Sequence, residues 1–147
     1  MANATLFAYG TLQDADILAA VLGRRPSAGD FQPAYAPGFS AVYYPGRVYP
    51  ALVSRETGMA QGLLLAGLSG HHLAILDAFE GDEYLRASIK VLVRGARVEA
   101  QAYFPTLAIA ANAADWSLNT WTQHHKAMVI GAEQGLAAEI RARLADN

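Results

Sequence analysis

Residues 85–104 carry the strongest structural signal in this sequence. The segments 85–93 and 97–104 are both rich in the β-branched and aromatic residues that β-strands prefer. Between them, Arg94-Gly95-Ala96 forms a short link that contains a glycine, which is typical of a β-hairpin. The chain is therefore expected to contain an antiparallel pair of strands late in its length.

Other segments predict further strands. Strand patterns occur in four more places, at residues 5–9, 39–44, 49–54 and 59–66. The last two are expected to form a second hairpin, joined by Arg55-Glu56-Thr57-Gly58. Two remaining stretches are expected to be connections: the proline-containing residues 24–37 and the alanine-rich residues 105–116.

Helices are expected in three places. Asp14 is a suitable N-cap for a helix over residues 15–22, and Gly23 stands where a C-cap glycine is common. A second helix is expected from Ser69-Gly70 to about Phe79. A longer helical region is expected from Ser117 onwards, with an interruption near one of two glycines, Gly131 or Gly135.

The order of these elements indicates the class of fold. Strands with interspersed helices, linked mostly by hairpins, favour an α+β fold over a doubly wound sheet. The length of 147 residues fits one domain, so residues 1–147 are expected to form a single domain.

Composition excludes several classes of function. The chain has no cysteine, which excludes disulfides, thiolate metal sites, iron–sulfur clusters and a cysteine nucleophile. The net charge is −2 without a stripe of Lys and Arg, so nucleic acid is not an expected partner. No run approaches the roughly 18 apolar residues of a membrane span, and the N-terminus lacks the features of a signal peptide. We expect a soluble, cytoplasmic protein with no membrane partner.

One carboxylate in the segment 72–86 stands at an unusual position. At roughly 100° per residue on a helix, Glu80 falls inside the apolar arc, and Asp77 lies on the border of that arc. The arc itself consists of Leu73, Ile75, Leu76 and Phe79. A buried carboxylate has a raised pKa, which suits a general base near neutral pH. Two structural alternatives stay open: the helix frays at Phe79 so that Glu80 faces water, or Glu80 pairs with Arg86.

A second short motif, Tyr9-Gly10-Thr11-Leu12, ends the first predicted strand. Glycine accepts dihedral angles that other residues avoid, so the chain can turn sharply at Gly10. Successive N–H groups after such a turn can form a nest for an anion such as a carboxylate, and the Thr11 hydroxyl offers one further donor. The alternative is an ordinary turn between a strand and a helix.

Taken together, these motifs resemble the γ-glutamylcyclotransferase-like superfamily, in its small single-domain branch. That branch includes the γ-glutamylamine cyclotransferases and the plant avirulence-induced proteins. The resemblance covers roughly residues 4–130 and rests on four segments in family order: FAYGTL at 7–12, YPAL at 49–52, GLLLAGLS at 62–69 and LDAFEGDEYLRASIKVLV at 76–93. It implies a small mixed β-barrel with flanking helices.

The resemblance also implies roles for particular residues. Glu80 matches the catalytic acidic residue of the family. The loop of Tyr9, Gly10, Thr11 and Leu12 would hold the α-carboxylate of a γ-glutamyl substrate, chiefly through N–H groups. Tyr84 is expected either to hydrogen-bond to Glu80 or to line the pocket. Arg86 is expected to pair with Glu80 or with Asp77, or to have a structural role, and Tyr103 is expected to line the barrel. The implied reaction releases 5-oxoproline from a small γ-glutamyl amine or peptide, with no cofactor and no metal.

Several possibilities stay open at this point. A non-catalytic module for a γ-glutamyl or carboxylate metabolite needs the same pocket without a base, and a hydrolase would use Glu80 to activate water. A purely assembling domain would have an occluded pocket. The aromatic stretch 43–47 is expected to border the pocket and to shape which leaving group fits. Neither the leaving group nor the oligomeric state follows from the sequence.

Overall fold

The computed structural model describes residues 4–145, and its strands close into a barrel. The strands are β1 (Ala4–Ala8), β2 (Phe31–Tyr43), β3 (Pro50–Leu68), β4 (Tyr84–Val93) and β5 (Ala96–Pro105). The helices are α1 (Ala15–Leu22), α2 (Gly70–Glu80), α3 (Leu118–His124) and α4 (Lys126–Ala145). Short 3-10 turns lie at Thr11–Gln13, Ala28–Asp30 and Gly81–Glu83.

The order of strands around the barrel is β1-β3-β2-β4-β5. All neighbouring pairs are antiparallel except β1 and β5, which run parallel and pair at Leu6 and Gln101. The expected α+β fold, a small mixed barrel with flanking helices, is confirmed. The hairpin predicted from residues 85–104 is also confirmed, because β4 and β5 pair along their whole length.

The second predicted hairpin is wrong. Residues 49–54 and 59–66 belong to one 19-residue strand, β3, which pairs with β2 from Pro50 to Leu65. Gly58 is not a turn residue: a Cβ there would lie 2.4 Å from the carbonyl oxygen of Phe39, so glycine permits a close approach of the two strands. The register shifts at this point, and Gly38, with φ of 83°, takes up the irregularity.

The predicted connection over residues 24–37 is wrong from Phe31 onwards, where β2 begins. The prolines in this segment suggested a loop. Pro37 lies next to the register shift between β2 and β3, whereas Pro33 lies within the regular part of the ladder, opposite Leu63. Residues 106–117 contain no helix or strand of their own, as expected for a connection.

The helix predictions hold at both ends of α1 and at the start of α2. The Asp14 carboxylate accepts hydrogen bonds from the N–H groups of Asp16 and Ile17, and Gly23 ends α1 with φ of 80°. The hydroxyl of Ser69 caps α2 by accepting from His72 N–H at 3.1 Å.

The predicted interruption of the last helical region is wrong in place. The break falls at His125, between α3 and α4, whereas Gly131 and Gly135 both lie inside α4. Neither glycine has a positive φ, so the helical backbone continues through both positions. None of the helices within residues 4–145 is long and apolar enough to cross a membrane.

Two clusters of buried side chains form the core. The first lies inside the barrel and is rich in small residues such as Ala34, Ala36 and Ala102, which suits the narrow interior of five strands. The second lies between the barrel and the helices and includes Leu76 and Trp121. Because α4 packs against α1 and α2, it stands beside the C-terminal end of α2.

Candidate active site

A cavity of about 410 Å³ lies beside the loop that follows β1. Four parts of the chain form its walls: the β1 loop, the segment before β3, the end of α2 with the start of β4, and the two last helices. Its lining residues are Tyr9, Gly10, Thr11, Gly46, Arg47, Val48, Tyr49, Pro50, Phe79, Glu80, Glu83, Tyr84, Trp121, Val129, Glu133 and Leu136.

The cavity brings together five of the eight residues proposed from sequence. These are Tyr9, Gly10, Thr11, Glu80 and Tyr84. The other three do not line it: the side chain of Leu12 belongs to the core, and Arg86 and Tyr103 lie behind the cavity wall. Gly46 and Arg47, in the stretch expected to border the pocket, do line it.

Glu80 is the last residue of α2, and its half-buried side chain reaches the cavity. The helix persists through this residue because Gly81, with φ of 68°, ends it one position later. Burial raises the pKa of Glu80 to about 8, and the negative charges of Glu133, Glu83 and Asp77 act in the same direction. The frayed-helix alternative is therefore wrong.

Pairing of Glu80 with Arg86 is also absent. Among the salt bridges within residues 4–145, none involves Glu80, and the guanidinium of Arg86 is bound to Asp77 instead. The carboxyl group of Glu80 therefore lines the cavity without a charged protein partner. A group in this state is available to accept a proton from a bound molecule.

The loop after β1 forms a short 3-10 turn at the wall of the cavity. Thr11–Gln13 forms a 3-10 turn, which is closed by hydrogen bonds to the carbonyls of Gly10 at 3.1 Å and Thr11 at 2.9 Å. The first N–H groups of the turn, those of Thr11 and Leu12, have no acceptor within it. Gln13 braces the loop by donating from Nε2 to the Tyr9 carbonyl at 2.9 Å.

The role of glycine at position 10 differs from the one expected. Its φ is −115°, which is not restricted to glycine, so the dihedral explanation is wrong. A Cβ at this position would instead lie 3.0 Å from Cγ of Pro50 on the opposite wall. Glycine allows the loop and the start of β3 to approach each other at the mouth of the cavity.

Three tyrosine rings, those of Tyr44, Tyr49 and Tyr84, pack together at one side of the cavity. The Tyr84 hydroxyl donates to the carbonyl of Pro50 at 2.5 Å, and not to Glu80 as sequence reasoning had allowed. The ring of Tyr84 thus lines the cavity while its hydroxyl fixes the start of β3. Tyr44 belongs to the stretch 43–47 that was expected to border the pocket, and Tyr49 begins the YPAL segment. Their packing against Tyr84 was not predicted, because it joins residues that are distant in the sequence.

Glu83 forms a salt bridge with Arg47, a cationic group of the cavity wall. Arg47 donates from Nε to Glu83 at 3.1 Å and to the Tyr49 hydroxyl at 2.9 Å, and the Tyr49 hydroxyl also bonds to the Glu83 carboxylate. These contacts tie the segment before β3 to the turn that follows α2. Because they join residues far apart in the sequence, no local pattern indicated them.

A second network holds α2 from behind. The Asp77 carboxylate accepts from Arg86 and, at 2.7 Å, from the Tyr103 hydroxyl. Although burial acts to raise the pKa of Asp77, these hydrogen bonds hold it below its ordinary value. The Tyr103 carbonyl accepts from the buried Tyr9 hydroxyl at 2.5 Å. Arg86 and Tyr103 therefore connect the helix that carries Glu80 to the loop of residues 9–12.

Glu133 is a lining residue that sequence reasoning missed. It lies on α4, is half-buried, and its burial raises its pKa above the ordinary value. The signal was present in the spacing: Val129, Glu133 and Leu136 are separated by four and three residues and share one helix face. A carboxylate in such an apolar stripe is the same kind of signal that identified Glu80.

A closed five-stranded barrel with flanking helices is the γ-glutamylcyclotransferase-like class of fold. Residues 6–123 match the family model described as gamma-glutamyl cyclotransferase, AIG2-like. The chain belongs to this family.

Relatives and solved structures agree with this assignment. The chain is 34% identical over 131 residues to AIG2-like protein A of Arabidopsis thaliana. The aligned region covers 85% of this chain and 76% of that protein. A solution structure from Arabidopsis thaliana superposes with a TM-score of 0.68 at 28% identity, covering 90% of this chain and 89% of the other. A structure titled gamma-glutamyl cyclotransferase has a TM-score of 0.63 and covers 99% of both chains, and at 16% identity this likeness concerns the fold alone.

Proposed function

We propose that this chain is a γ-glutamyl cyclotransferase that converts a small γ-glutamyl amine or peptide to 5-oxoproline and a free amine. The observation that carries the proposal is the presence of Glu80, without a charged partner and with a pKa of about 8, in the same cavity as the loop of Gly10 and Thr11. Membership of the family supports the same reaction class.

Substrate binding begins at the loop. The N–H groups of Thr11 and Leu12 and the Thr11 hydroxyl hold the α-carboxylate of the γ-glutamyl group. The α-ammonium then lies within reach of Glu80 and is attracted by its carboxylate. This grip on one end folds the extended substrate so that its α-nitrogen approaches its own γ-carbonyl carbon.

The chemical step follows from that geometry. Glu80 accepts a proton from the α-ammonium, and the freed amine attacks the γ-carbonyl. A new bond from the α-nitrogen to the γ-carbon closes a five-membered lactam, and the bond from the γ-carbon to the leaving nitrogen breaks. Over the reaction the α-nitrogen gives up two protons and the leaving nitrogen gains two, with Glu80 as the carrier.

Two physical effects accelerate this step. Both reacting atoms belong to one anchored molecule, so little orientational entropy is lost at the transition state. The raised pKa of Glu80 brings the base close to neutrality, which makes transfer of the proton in both directions easy. Arg86 and Tyr103 take part as positioning residues, because they hold Asp77 one helical turn before Glu80. Tyr84 takes part as a wall of the cavity.

The proposal is tested by product analysis. Wild type and Glu80→Gln are incubated with a panel of γ-glutamyl amines and peptides, and 5-oxoproline, glutamate and free amine are quantified. We expect 5-oxoproline from wild type and a loss of at least about a hundredfold in kcat for Glu80→Gln. Glu139→Gln is the matched control, because Glu139 is an exposed carboxylate of α4 that does not line the cavity.

A second arm separates the alternatives. Each substrate is paired with its twin in which the α-amine is acetylated, which removes the nucleophile. A cyclotransferase leaves the twin intact, whereas a hydrolase releases glutamate derivatives from both. Binding without turnover across the panel identifies a binding module instead. Undiminished activity in Glu80→Gln would rule out the assignment of the base.

A further inference from the structure

The last helix, α4, forms one wall of the cavity, and this wall combines apolar side chains with a carboxylate. Val129, Glu133 and Leu136 lie on one face of α4 and line the cavity, so the wall is an apolar stripe with one carboxylate. All three follow residue 123, where the match to the family model ends. The combination of apolar side chains and one carboxylate on this wall is therefore not described by the family model.

The charges around the cavity leave two carboxyl groups without partners. Arg47 is the cation of the wall, and it is bound by Glu83. No salt bridge within residues 4–145 involves Glu80 or Glu133. A half-buried carboxylate without a partner is unfavourable, and a bound cation offsets that cost. The cavity therefore offers two places for positive charge.

The proposed reaction uses only one of these places. The α-ammonium of the γ-glutamyl group faces Glu80, which leaves Glu133 for the other half of the substrate. The apolar part of that wall, with Phe79 beside it, suits an aliphatic chain. An aliphatic chain that ends in an ammonium group matches both features.

Resting on the function proposed above, we infer that Glu133 is a specificity-determining residue that selects γ-glutamyl amines whose leaving group carries a distal ammonium on an aliphatic chain. A leaving group that ends in a carboxylate meets repulsion from Glu133 at the same place, so the residue also discriminates against acidic leaving groups.

The position of Glu133 is well fixed for such a role. Lys126, at the start of α4, donates from Nζ to Asp14 at 2.9 Å and to Asp16 at 2.7 Å. Towards the other end, Arg141 donates from Nε to the carbonyl of Ala20 at 2.7 Å. Both anchors attach α4 to α1, so the carboxylate is presented from a helix held at two points.

Three substrates of similar length test the inference. They are the γ-glutamyl amides of 1,5-diaminopentane, n-hexylamine and 6-aminohexanoic acid, which end in an ammonium, a methyl and a carboxylate group. The readout is the ratio of kcat/KM between the ammonium and methyl substrates. A change in the pKa of Glu80 affects both substrates alike, so the ratio reports on the distal group alone.

We expect wild type to prefer the ammonium substrate by roughly tenfold or more, corresponding to at least about 1.4 kcal/mol. Glu133→Gln should bring the ratio near one, and Glu133→Lys should favour the carboxylate substrate. Glu139→Gln, the exposed control, should keep the ratio of wild type. A ratio in Glu133→Gln equal to that of wild type would overturn the inference.

The inference and the proposed function fail separately. If the methyl substrate gives 5-oxoproline but the ratio is near one in wild type, the inference is wrong and the cyclotransferase stands. If no substrate gives 5-oxoproline, the cyclotransferase is wrong, and calorimetry of the same amides with wild type and Glu133→Gln still decides the inference. Preferential binding of the ammonium amide that Glu133→Gln removes supports it, and equal binding overturns it.

Discussion

Arg86 holds the carboxylate of Asp77 with two hydrogen bonds, from Nε at 2.8 Å and from Nη2 at 3.0 Å. This bidentate pair joins β4 to α2 one helical turn before Glu80. The basic residue thus fixes the helix while the charge of Glu80 remains uncompensated. In the proposed function, Asp77 supports the site and Glu80 transfers the proton, so two carboxylates of the same helix have separate roles.

Removal of this pair should reduce stability modestly. We expect Arg86→Ala to lower the free energy of unfolding by about 1 kcal/mol, because the lost pair is bidentate and its guanidinium is partly buried. Arg24→Ala is the control, since the Arg24–Asp30 pair is exposed with a separation of 3.7 Å. That change should cost about 0–0.5 kcal/mol in urea denaturation. Equal effects of the two changes would contradict the role of Arg86.

The pH dependence of the reaction should report on Glu80. In the proposed mechanism the ionised carboxylate is the base, so kcat/KM should rise with pH with a midpoint near 8. Glu133→Gln removes one of the negative charges that raise the pKa of Glu80, so the midpoint should move to lower pH. The substrate also titrates, but its pKa is the same in both profiles. A midpoint that does not move in Glu133→Gln would show that the two carboxyl groups are not coupled.

Glu80 should also make stability fall with rising pH. Its pKa is 4.5 ordinarily and about 8 in the folded chain, so the folded state keeps a proton that the unfolded state releases. The stability from this proton is complete below about pH 4.5 and is lost as pH rises through about 8. We expect Glu80→Gln to be more stable than wild type at pH 9 by on the order of 2 kcal/mol.

The comparison of the two proteins in urea at pH 5 and pH 9 checks this effect. The difference in the free energy of unfolding should be small at pH 5 and larger at pH 9. A difference of the same size at both pH values would mean that Glu80 does not titrate between them. A catalytic group that reduces stability when ionised is a common compromise between function and folding.

The loop after β1 should tolerate a change of side chain at Thr11 but not at Gly10. Gly10→Val should abolish substrate binding, because the new side chain meets Pro50 within 3.0 Å of its Cβ. Thr11→Ser keeps the hydroxyl and the N–H group, so its kcat/KM should stay within about threefold of wild type. Gly29→Val is the control, as a Cβ at Gly29 meets nothing within 4 Å. Full activity of Gly10→Val would remove the loop from the site.

Local signals in the sequence were sufficient for several parts of the fold. The caps at Asp14 and Ser69 act within three residues, and the inward position of Glu80 follows from the helical period alone. Gly58 was misread because a glycine within a strand pattern marks either a turn or a close approach of two backbones. Only the pairing of β2 with β3 distinguishes these two meanings.

The parts of the site that were missed depend on contacts between distant segments. Glu83 bonds to Arg47 and Tyr49, which lie more than thirty residues earlier. Glu133 reaches the cavity because α4 packs beside the end of α2, and the packing of helices is not written in a local pattern. The resemblance of the motifs to a family indicated the barrel. The spacing of Val129, Glu133 and Leu136 indicated a shared helix face, but only the structure shows that this face lines the cavity.

The reaction in water enriched in oxygen-18 tests the central claim most directly. An attack by the α-amine leaves the γ-carbonyl oxygen in place, so we expect 5-oxoproline that carries no label, released together with the free amine. Water as the nucleophile would give glutamate with one labelled oxygen in its γ-carboxylate. Labelled glutamate as the first product would contradict intramolecular attack and show that water is the nucleophile instead.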